Sequence, residues 1–324
     1  MKAIIPVAGI GKRLRPHTLN IPKALLNVAG KPILGHIVDS LLGMGVKELI
    51  PIVGYKGDLI REYLSSAYKV PITFVEQTEQ KGIAHAVFLA REHADNAEIV
   101  IILGDTIIRT DFARIPLAGP YILGVREVAD PHRFGICDVD RGIVRKIVEK
   151  PEHPKGNLAL IGLYYFKDST PLFKACRDLI DGNIMTKGEY QITDALQLMI
   201  DAGTQFRPFH IDGWYDCGKV ETLLETNRIL LEESKMSGKS DGCIIIPPCY
   251  IDRGSSIVNS IIGPYVSVAK GCQIRNSIIE NSILNEESSI ENIILEGSVV
   301  GAFAEVTGRK GSVNVSDYSQ IDYR

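Results

Sequence analysis

Across residues 251–300 an aliphatic side chain returns every five or six positions, at Ile251, Ile257, Ile262, Val268, Ile274, Ile279, Leu284, Ile290, Leu295 and Val300. An amphipathic helix repeats its apolar face about every 3.6 residues and a half-buried strand every two, so neither accounts for this spacing. The period is the hexapeptide signature of a parallel β-helix. Such a chain buries its aliphatic residues by winding into a prism, with each residue pointing inward. Small polar residues turn the corners, as in "NSIIGPYVSV" and "RNSIIENSIL". An antiparallel β-sandwich is the alternative, and it does not explain the constant spacing. About three coils are expected within residues 243–324. The polar, glycine-bearing stretch "SKMSGKSDG" at 234–242 reads as a linker.

The region before the linker alternates between two periods. Residues 2–8 read as a buried strand. Residues 32–45 carry the stripe Ile33, Leu34, Ile37, Val38, Leu41 and Leu42 of an amphipathic helix. "ELIPIVG", "PITFV" and "EIVIILGD" continue as strands, with helices at 58–67 and 84–93 between them. This alternation predicts a doubly wound, mostly parallel α/β sheet of Rossmann-like type, covered on both faces. After Asp105 the pattern is mixed: strands "YILGVREV", "RGIVRKIVEK" and "LALIGLYYF", and helices at 170–180, 190–202 and 223–235. Two domains result, 1–233 and 243–324. In open α/β sheets ligands bind at the carboxyl ends of the strands. The stretch after the first strand and the Gly104–Asp105 pair both fall at such ends.

That first stretch, "PVAGIGKRLRPHTLNIPKALL", carries Lys12, Arg13, Arg15 and Lys23, and no acidic residue precedes Asp39. The whole chain has a net charge of −3, which gives no bias toward nucleic acid. The positive charge is therefore local and points to a small anion. Gly9 and Gly11 let backbone N–H groups approach a phosphate closely, and Arg13 offers a fork of donors. The spacing is not a P-loop, and Leu14 interrupts a Rossmann glycine fingerprint. The six cysteines form no CxxC pair and lack a histidine cluster, which argues against zinc and fits a reducing cytoplasm. No apolar run approaches the roughly 18 residues of a membrane span, and glycine and proline interrupt the basic N-terminal stretch before it could read as a targeting peptide.

In full, the pattern GxGxRLxPxTxxxPKxLLxVxxKPI closely resembles the signature of the sugar-1-phosphate nucleotidyltransferases. The resemblance runs over residues 1–232. "GIAHAV", "LGD", "FGI", "VEKP", "GLYYF", "EYQITDAL" and "GWYDCGK" follow in the family's order. It is greatest to the long glucose-1-phosphate thymidylyltransferases, which end in a hexapeptide-repeat, left-handed β-helix. The implied reaction is in-line attack of glucose-1-phosphate, or a related sugar-1-phosphate, on the α-phosphate of dTTP, releasing pyrophosphate. A UTP-dependent uridylyltransferase stays open, since a pocket distinguishes one methyl group by only about 1–3 kcal/mol. A non-catalytic regulatory subunit is the third reading. Such subunits lose the residues that are all present here: Arg13, Lys23, Asp105, Lys150 and Asp216.

By resemblance, Arg13 and Lys23 are catalytic. Ala8, Gly9, Gly11, Lys12, Gln77 and Gly82 hold the nucleotide, and Gly135, Glu149, Lys150, Asn157 and Gly162 the sugar phosphate. Asp105 and Asp216 hold Mg²⁺, which prefers one or two carboxylates plus phosphate oxygens. Two departures stand out. Thr106 replaces the asparagine usual after the metal aspartate, and "GNLAL", which carries Asn157, departs from the usual "SN" or "SD" start. His85 reads as packing or capping, Thr193 and Asp194 as helix-start residues, and Trp214 as scaffold for Asp216. The last histidine, His210, precedes the repeats, which disfavours acyl transfer in the tail. The tail is expected to serve assembly or regulation and to pack against its own catalytic domain or against another subunit of a homo-oligomer, with Val299, Val300 and Phe303 as candidates for that contact.

Overall fold

The computed structural model describes residues 1–234, 243–308 and 312–322. The chain divides into two compact units. One comprises Met1–Gly9 and Ile37–Trp214, the other Ile10–His36 and Tyr215–Arg324. The composition shift near residue 233 does not reveal this division, because a segment from the N-terminal region joins the later unit. The linker expected at 234–242 lies, beyond Ser234, outside the described residues.

The first unit is built on one sheet. Its strands run in the order Ile143–Glu149, Gly135–Asp140, Leu158–Phe166, Ile99–Ile102, Lys2–Pro6, Glu48–Val53 and Val75–Glu76. The last four are parallel, with Ile4 facing Ile50 on one side and Ile101 on the other. All three isoleucines are fully buried, as strands covered on both faces require. "PITFV" yields only a two-residue strand, preceded by a bridge from Ile72 to Leu49. Pro71 has no N–H to extend the ladder.

From Leu158–Phe166 onward the pairing is antiparallel. Strand Tyr121–Glu127 also joins Leu158–Phe166 and carries the parallel strand Arg207–His210 on its far side. Helices Ile83–Leu89, Thr170–Asp181 and Ile192–Asp201 bury Val87, Leu172, Phe173 and Leu196 in the core with these strands. Of the stripe predicted on helix Ile33–Gly43, every member is buried except Leu42, which is half-buried.

The second unit contains the β-helix. Its strands form three parallel sheets. Ile257, Ile274, Ile290 and Val306 stack in one row, Ile262, Ile279 and Leu295 in the second, and Val268, Leu284 and Val300 in the third. All of them are buried in a single core, so the five-to-six spacing is the spacing of prism faces. The arrangement is consistent with a left-handed β-helix. Four complete coils and two strands of a fifth are described, more than the three expected. Ser260, Ser277, Ser282 and Ser298 sit at the corners, each hydroxyl donating to the carbonyl two residues earlier. Asn259, Asn276 and Asn292 all have positive φ and form a ladder of amide hydrogen bonds of 2.8 and 3.1 Å. Asparagine tolerates that conformation best among non-glycine residues.

Of the two contacts expected for Val299 and Val300, the one with another subunit is ruled out by their burial within the chain. Both are fully buried, so neither is available to another subunit, whereas Phe303 is 48% exposed. Val300 faces the prism core. Val299 lies in the outward row of the third sheet with Tyr250, Ser267 and Ile283, and that face is covered within the unit. Helix Val220–Ser234 and segment Ile10–His36 reach it through Asn227, bonded to Ser267, and Gly30, under the Tyr250 ring.

Candidate active site

The basic stretch folds as two short 3₁₀ turns, Lys12–Leu14 and Lys23–Leu25, with Gly11 leading the first at φ +68. A Cβ on Gly11 would lie 3.0 Å from Lys23 Cβ and 3.2 Å from Thr18 Cγ2. Positive φ and this close approach together require glycine. The Thr18 hydroxyl donates to the Gly11 carbonyl at 2.9 Å and holds the turn shut. Lys12 and Arg13 are exposed on the turn, and Lys23 is buried, 9% exposed. Arg13 and Asp216 come together around Gly218. A Cβ there would lie 2.8 Å from Asp216 Oδ1 and 3.1 Å from Arg13 Nη2.

In the first unit, the residues expected around the nucleotide gather at the strand ends. The Ala8 carbonyl accepts from Gln80 Nε2 at 2.8 Å and from the Tyr55 N–H at 3.4 Å. Gly54 lies between Ala8 and Gln77, where its Cβ would sit 2.9 Å from Ala8 Cβ and 3.0 Å from the Gln77 carbonyl. Buried Gln77 directs its amide to the Gly82 carbonyl at 3.4 Å and to His85 Nδ1 at 3.2 Å. Ala8, Gln77 and Gly82 are therefore neighbours, and Gly9 is exposed beside them. His85, read as packing, is instead the partner of Gln77. Burial chiefly, and then the Lys81 charge, hold its imidazole below its ordinary pKa, against the Glu79 charge. Sequence reasoning missed Gln80 and Gly54. Only the polar run "EQTEQKG" hinted at the former.

The sugar-phosphate candidates form a second cluster. Glu149 closes strand Ile143–Glu149 opposite Gly135. Its Oε2 accepts from the Thr193 hydroxyl at 2.9 Å, and its Oε1 pairs with Lys150 Nζ at 3.2 Å. A Cβ on Gly135 would meet Thr193 Cγ2 at 2.6 Å and Glu149 Oε2 at 3.2 Å, so Gly135 leaves the room that Thr193 and the Glu149 carboxylate occupy. Thr193 thus does more than start its helix: it orients Glu149. Lys187 was not foreseen. Its Nζ donates to the Lys150 carbonyl at 3.0 Å, which puts a second cation beside Lys150. Asp194 is raised above the usual carboxylate range by burial, with the Glu149 charge adding to it against a Thr186 hydrogen bond. Gly162 lies against Leu103, whose N–H it accepts at 2.9 Å. Asn157 is exposed just before strand Leu158–Phe166 and accepts the Val128 N–H through its carbonyl at 3.0 Å, which anchors its backbone rather than its amide. Trp214 packs edge-on against Phe134, the residue before Gly135, with ring centroids 5.2 Å apart.

Asp105 follows strand Ile99–Ile102 and is half-buried, with Oδ1 accepting from Thr106 Oγ1 at 3.2 Å. Asp216 ends strand Gly213–Asp216 and is also half-buried. Each carboxylate is a hard oxygen donor of the kind that magnesium takes. Among the described residues no group of three or more His, Cys, Asp or Glu side chains forms a cage. The six cysteines are free thiols. No helix among the described residues is long and apolar enough to cross a membrane.

The nucleotidyl transferase family model matches residues 2–233. The chain is 33% identical to a glucose-1-phosphate thymidylyltransferase of Streptomyces antibioticus, over 99% of both chains. It is 35% identical to the UTP–glucose-1-phosphate uridylyltransferase AglF of Haloferax volcanii, over 72% of this chain and 98% of that one. Among solved structures, a UDP-glucose pyrophosphorylase complexed with UDP-glucose shares the fold. It has a TM-score of 0.63 and 24% identity, over 72% of this chain and 98% of that one.

Proposed function

The chain belongs to the nucleotidyl transferase family and is a sugar-1-phosphate nucleotidyltransferase; from that premise we propose that it transfers the thymidylyl group of dTTP to glucose-1-phosphate. The observation that carries this reading is the turn in which Gly11, Thr18 and Lys23 interlock and Lys12 and Arg13 stand exposed. The choice of dTTP follows the full-length likeness to a thymidylyltransferase. The likeness to a uridylyltransferase supports UTP as the second reading.

Both substrates are anions, so catalysis is mainly positioning and charge neutralisation. A phosphate oxygen of the sugar phosphate forms a bond to the α-phosphorus. The bond from that phosphorus to the α,β-bridging oxygen breaks, and pyrophosphate leaves with the electron pair. In this reading the Gly11 turn, with Gly9 and Lys12, presents donors to the triphosphate. Arg13 and Lys23 neutralise charge on the β- and γ-phosphates as it develops. Ala8, Gln77 and Gly82 border the base. Lys150, with Lys187 beside it, draws the sugar phosphate. Glu149, held by Thr193, accepts hydrogen bonds from sugar hydroxyls, with Gly135, Asn157 and Gly162 around the ring. Asp105 and Asp216 would hold Mg²⁺, which when bound offsets phosphate charge. Residues 1–233 would be the catalytic domain. The β-helix would support assembly into a homo-oligomer, which light scattering of the full-length protein tests.

The deciding experiment is pyrophosphate release with dTTP, UTP, CTP, ATP and GTP against a panel of sugar-1-phosphates. Turnover is expected with Mg²⁺ and to be greatest for dTTP with glucose-1-phosphate. A preference for UTP would transfer the assignment to the second reading, and no release with any pair would refute both.

A further inference from the structure

The segment that carries Arg13 and Lys23 is tied to the rest of the second unit at three points. The Ala29 N–H donates to Asn227 Oδ1 at 2.9 Å. Gly30 fits where a Cβ would lie 2.5 Å from the Tyr250 ring. The third tie comes from the last coil of the β-helix: the Ser316 hydroxyl donates to the Pro16 carbonyl at 2.7 Å, across 300 positions of sequence.

Ser316 differs from the corner serines. Ser260, Ser277, Ser282 and Ser298 donate to a carbonyl of their own coil and accept an N–H from the next. Those bonds hold the prism together. The Ser316 hydroxyl instead points out of the prism, and its acceptor belongs to the basic stretch. The Pro16 carbonyl also accepts the Leu19 N–H at 3.0 Å, so it fixes a short turn. Inside that turn lie His17, 2% exposed, and Thr18, which holds the Gly11 carbonyl. A continuous path therefore runs from Ser316 through Pro16 and Thr18 to Gly11 and Lys23.

We propose that Ser316 is a positioning residue for nucleotidyl transfer: the last β-helix coil fixes the Pro16–Leu19 turn and, through Thr18, the shape of the Gly11 turn. The proposal rests on the reading that the Gly11 turn holds the triphosphate. It gives the repeat domain a role in nucleotide affinity within its own chain.

The test compares Ser316→Ala, Ser316→Thr and Ser298→Ala in the full-length protein. Hydrogen exchange over residues 11–19 and steady-state kinetics with dTTP, UTP and glucose-1-phosphate are the readouts. In Ser316→Ala, exchange over 11–19 is expected to quicken. KM for the nucleotide should rise about three- to tenfold, the equivalent of one hydrogen bond, with KM for glucose-1-phosphate within twofold of wild type. Ser316→Thr keeps the hydroxyl and should restore both. Ser298→Ala removes a bond internal to the prism and should lower the melting temperature without changing exchange over 11–19 or the nucleotide KM. Unchanged exchange in Ser316→Ala, or the same effects in Ser298→Ala, overturns the proposal alone. Faster exchange with an unchanged nucleotide KM overturns it together with the assignment of the Gly11 turn to the nucleotide.

Discussion

Asn227 and Ala29 are joined by a 2.9 Å hydrogen bond across 198 positions of sequence. Asn227 is fully buried, and both polar ends of its side chain are hydrogen-bonded. Oδ1 also accepts from Ser267 Oγ at 2.7 Å, and Nδ2 donates to the Tyr265 carbonyl at 3.1 Å. One amide thus joins segment Ile10–His36, which carries the basic stretch, helix Val220–Ser234 and the second coil of the β-helix. Asn227→Ala would remove the partner of two buried groups, the Ala29 N–H and the Ser267 hydroxyl, and of the half-buried Tyr265 carbonyl, and a buried group left unsatisfied costs about 1–3 kcal/mol. The variant is expected to lose on the order of 3 kcal/mol or more of stability, read as a lower denaturant midpoint. A midpoint equal to wild type would show that the junction is not a cooperative part of the fold.

Arg13→Ala tests the chemistry. Arg13 is exposed and flanks Gly218 with Asp216, so the melting temperature should hold. Turnover should fall about a hundred- to thousand-fold, the usual loss for one preorganised donor aimed at developing charge. Near-normal kcat would remove Arg13 from the mechanism.

Glu149→Gln tests the sugar side. The amide keeps the size of the carboxylate but weakens the charge-assisted contacts with Lys150 and Thr193. KM for glucose-1-phosphate should rise about tenfold, equal to roughly 1.4 kcal/mol, while KM for the nucleotide stays within twofold. Thr193→Val should move in the same direction by a smaller factor. A rise confined to the nucleotide would contradict the assignment.

His17 predicts the acid side of stability. Both ring nitrogens lack hydrogen-bond partners among the described residues. Burial pushes the imidazole down to about 4, and the nearby Val315 backbone offsets this only in part. The unfolded chain takes up this proton near pH 6.5, whereas the folded protein resists until about pH 4. Stability from this group is therefore complete above pH 6.5 and is lost as pH falls toward 4, by about 3 kcal/mol in total. Denaturation of wild type and His17→Phe at pH 7.5 and 4.5 checks this. The variant should lose less stability on acidification, and equal losses would show that His17 is not the group responsible.

Much of the fold was legible because two periods are strong local signals. The aliphatic spacing from Ile257 to Val300 became three stacked rows, and the alternation before Asp105 became the parallel half of the sheet. Coil number and side-chain facing were less legible. Val299 and Val300 look alike in sequence, yet one faces the prism core and the other a covered outer face. Among the site residues, Gly135 and Glu149 were foreseen as separate motifs, and the register of two antiparallel strands makes them neighbours. Lys187 and Gln80 lie in no motif, and Thr193 lies in "EYQITDAL", whose sequence does not reveal that its hydroxyl bonds Glu149.

The sequence by itself determined which elements form and which chemistry is available. Periodicity and glycine placement act over a few residues, and the basic stretch up to Arg15 and Lys23 contains no acid to cancel its charge. Only the tertiary structure decided where that stretch belongs. Its partners, Asn227, Tyr250 and Ser316, lie some two hundred to three hundred positions later. Each is a single polar or aromatic side chain whose value comes from burial and geometry, and neither is present in the unfolded chain.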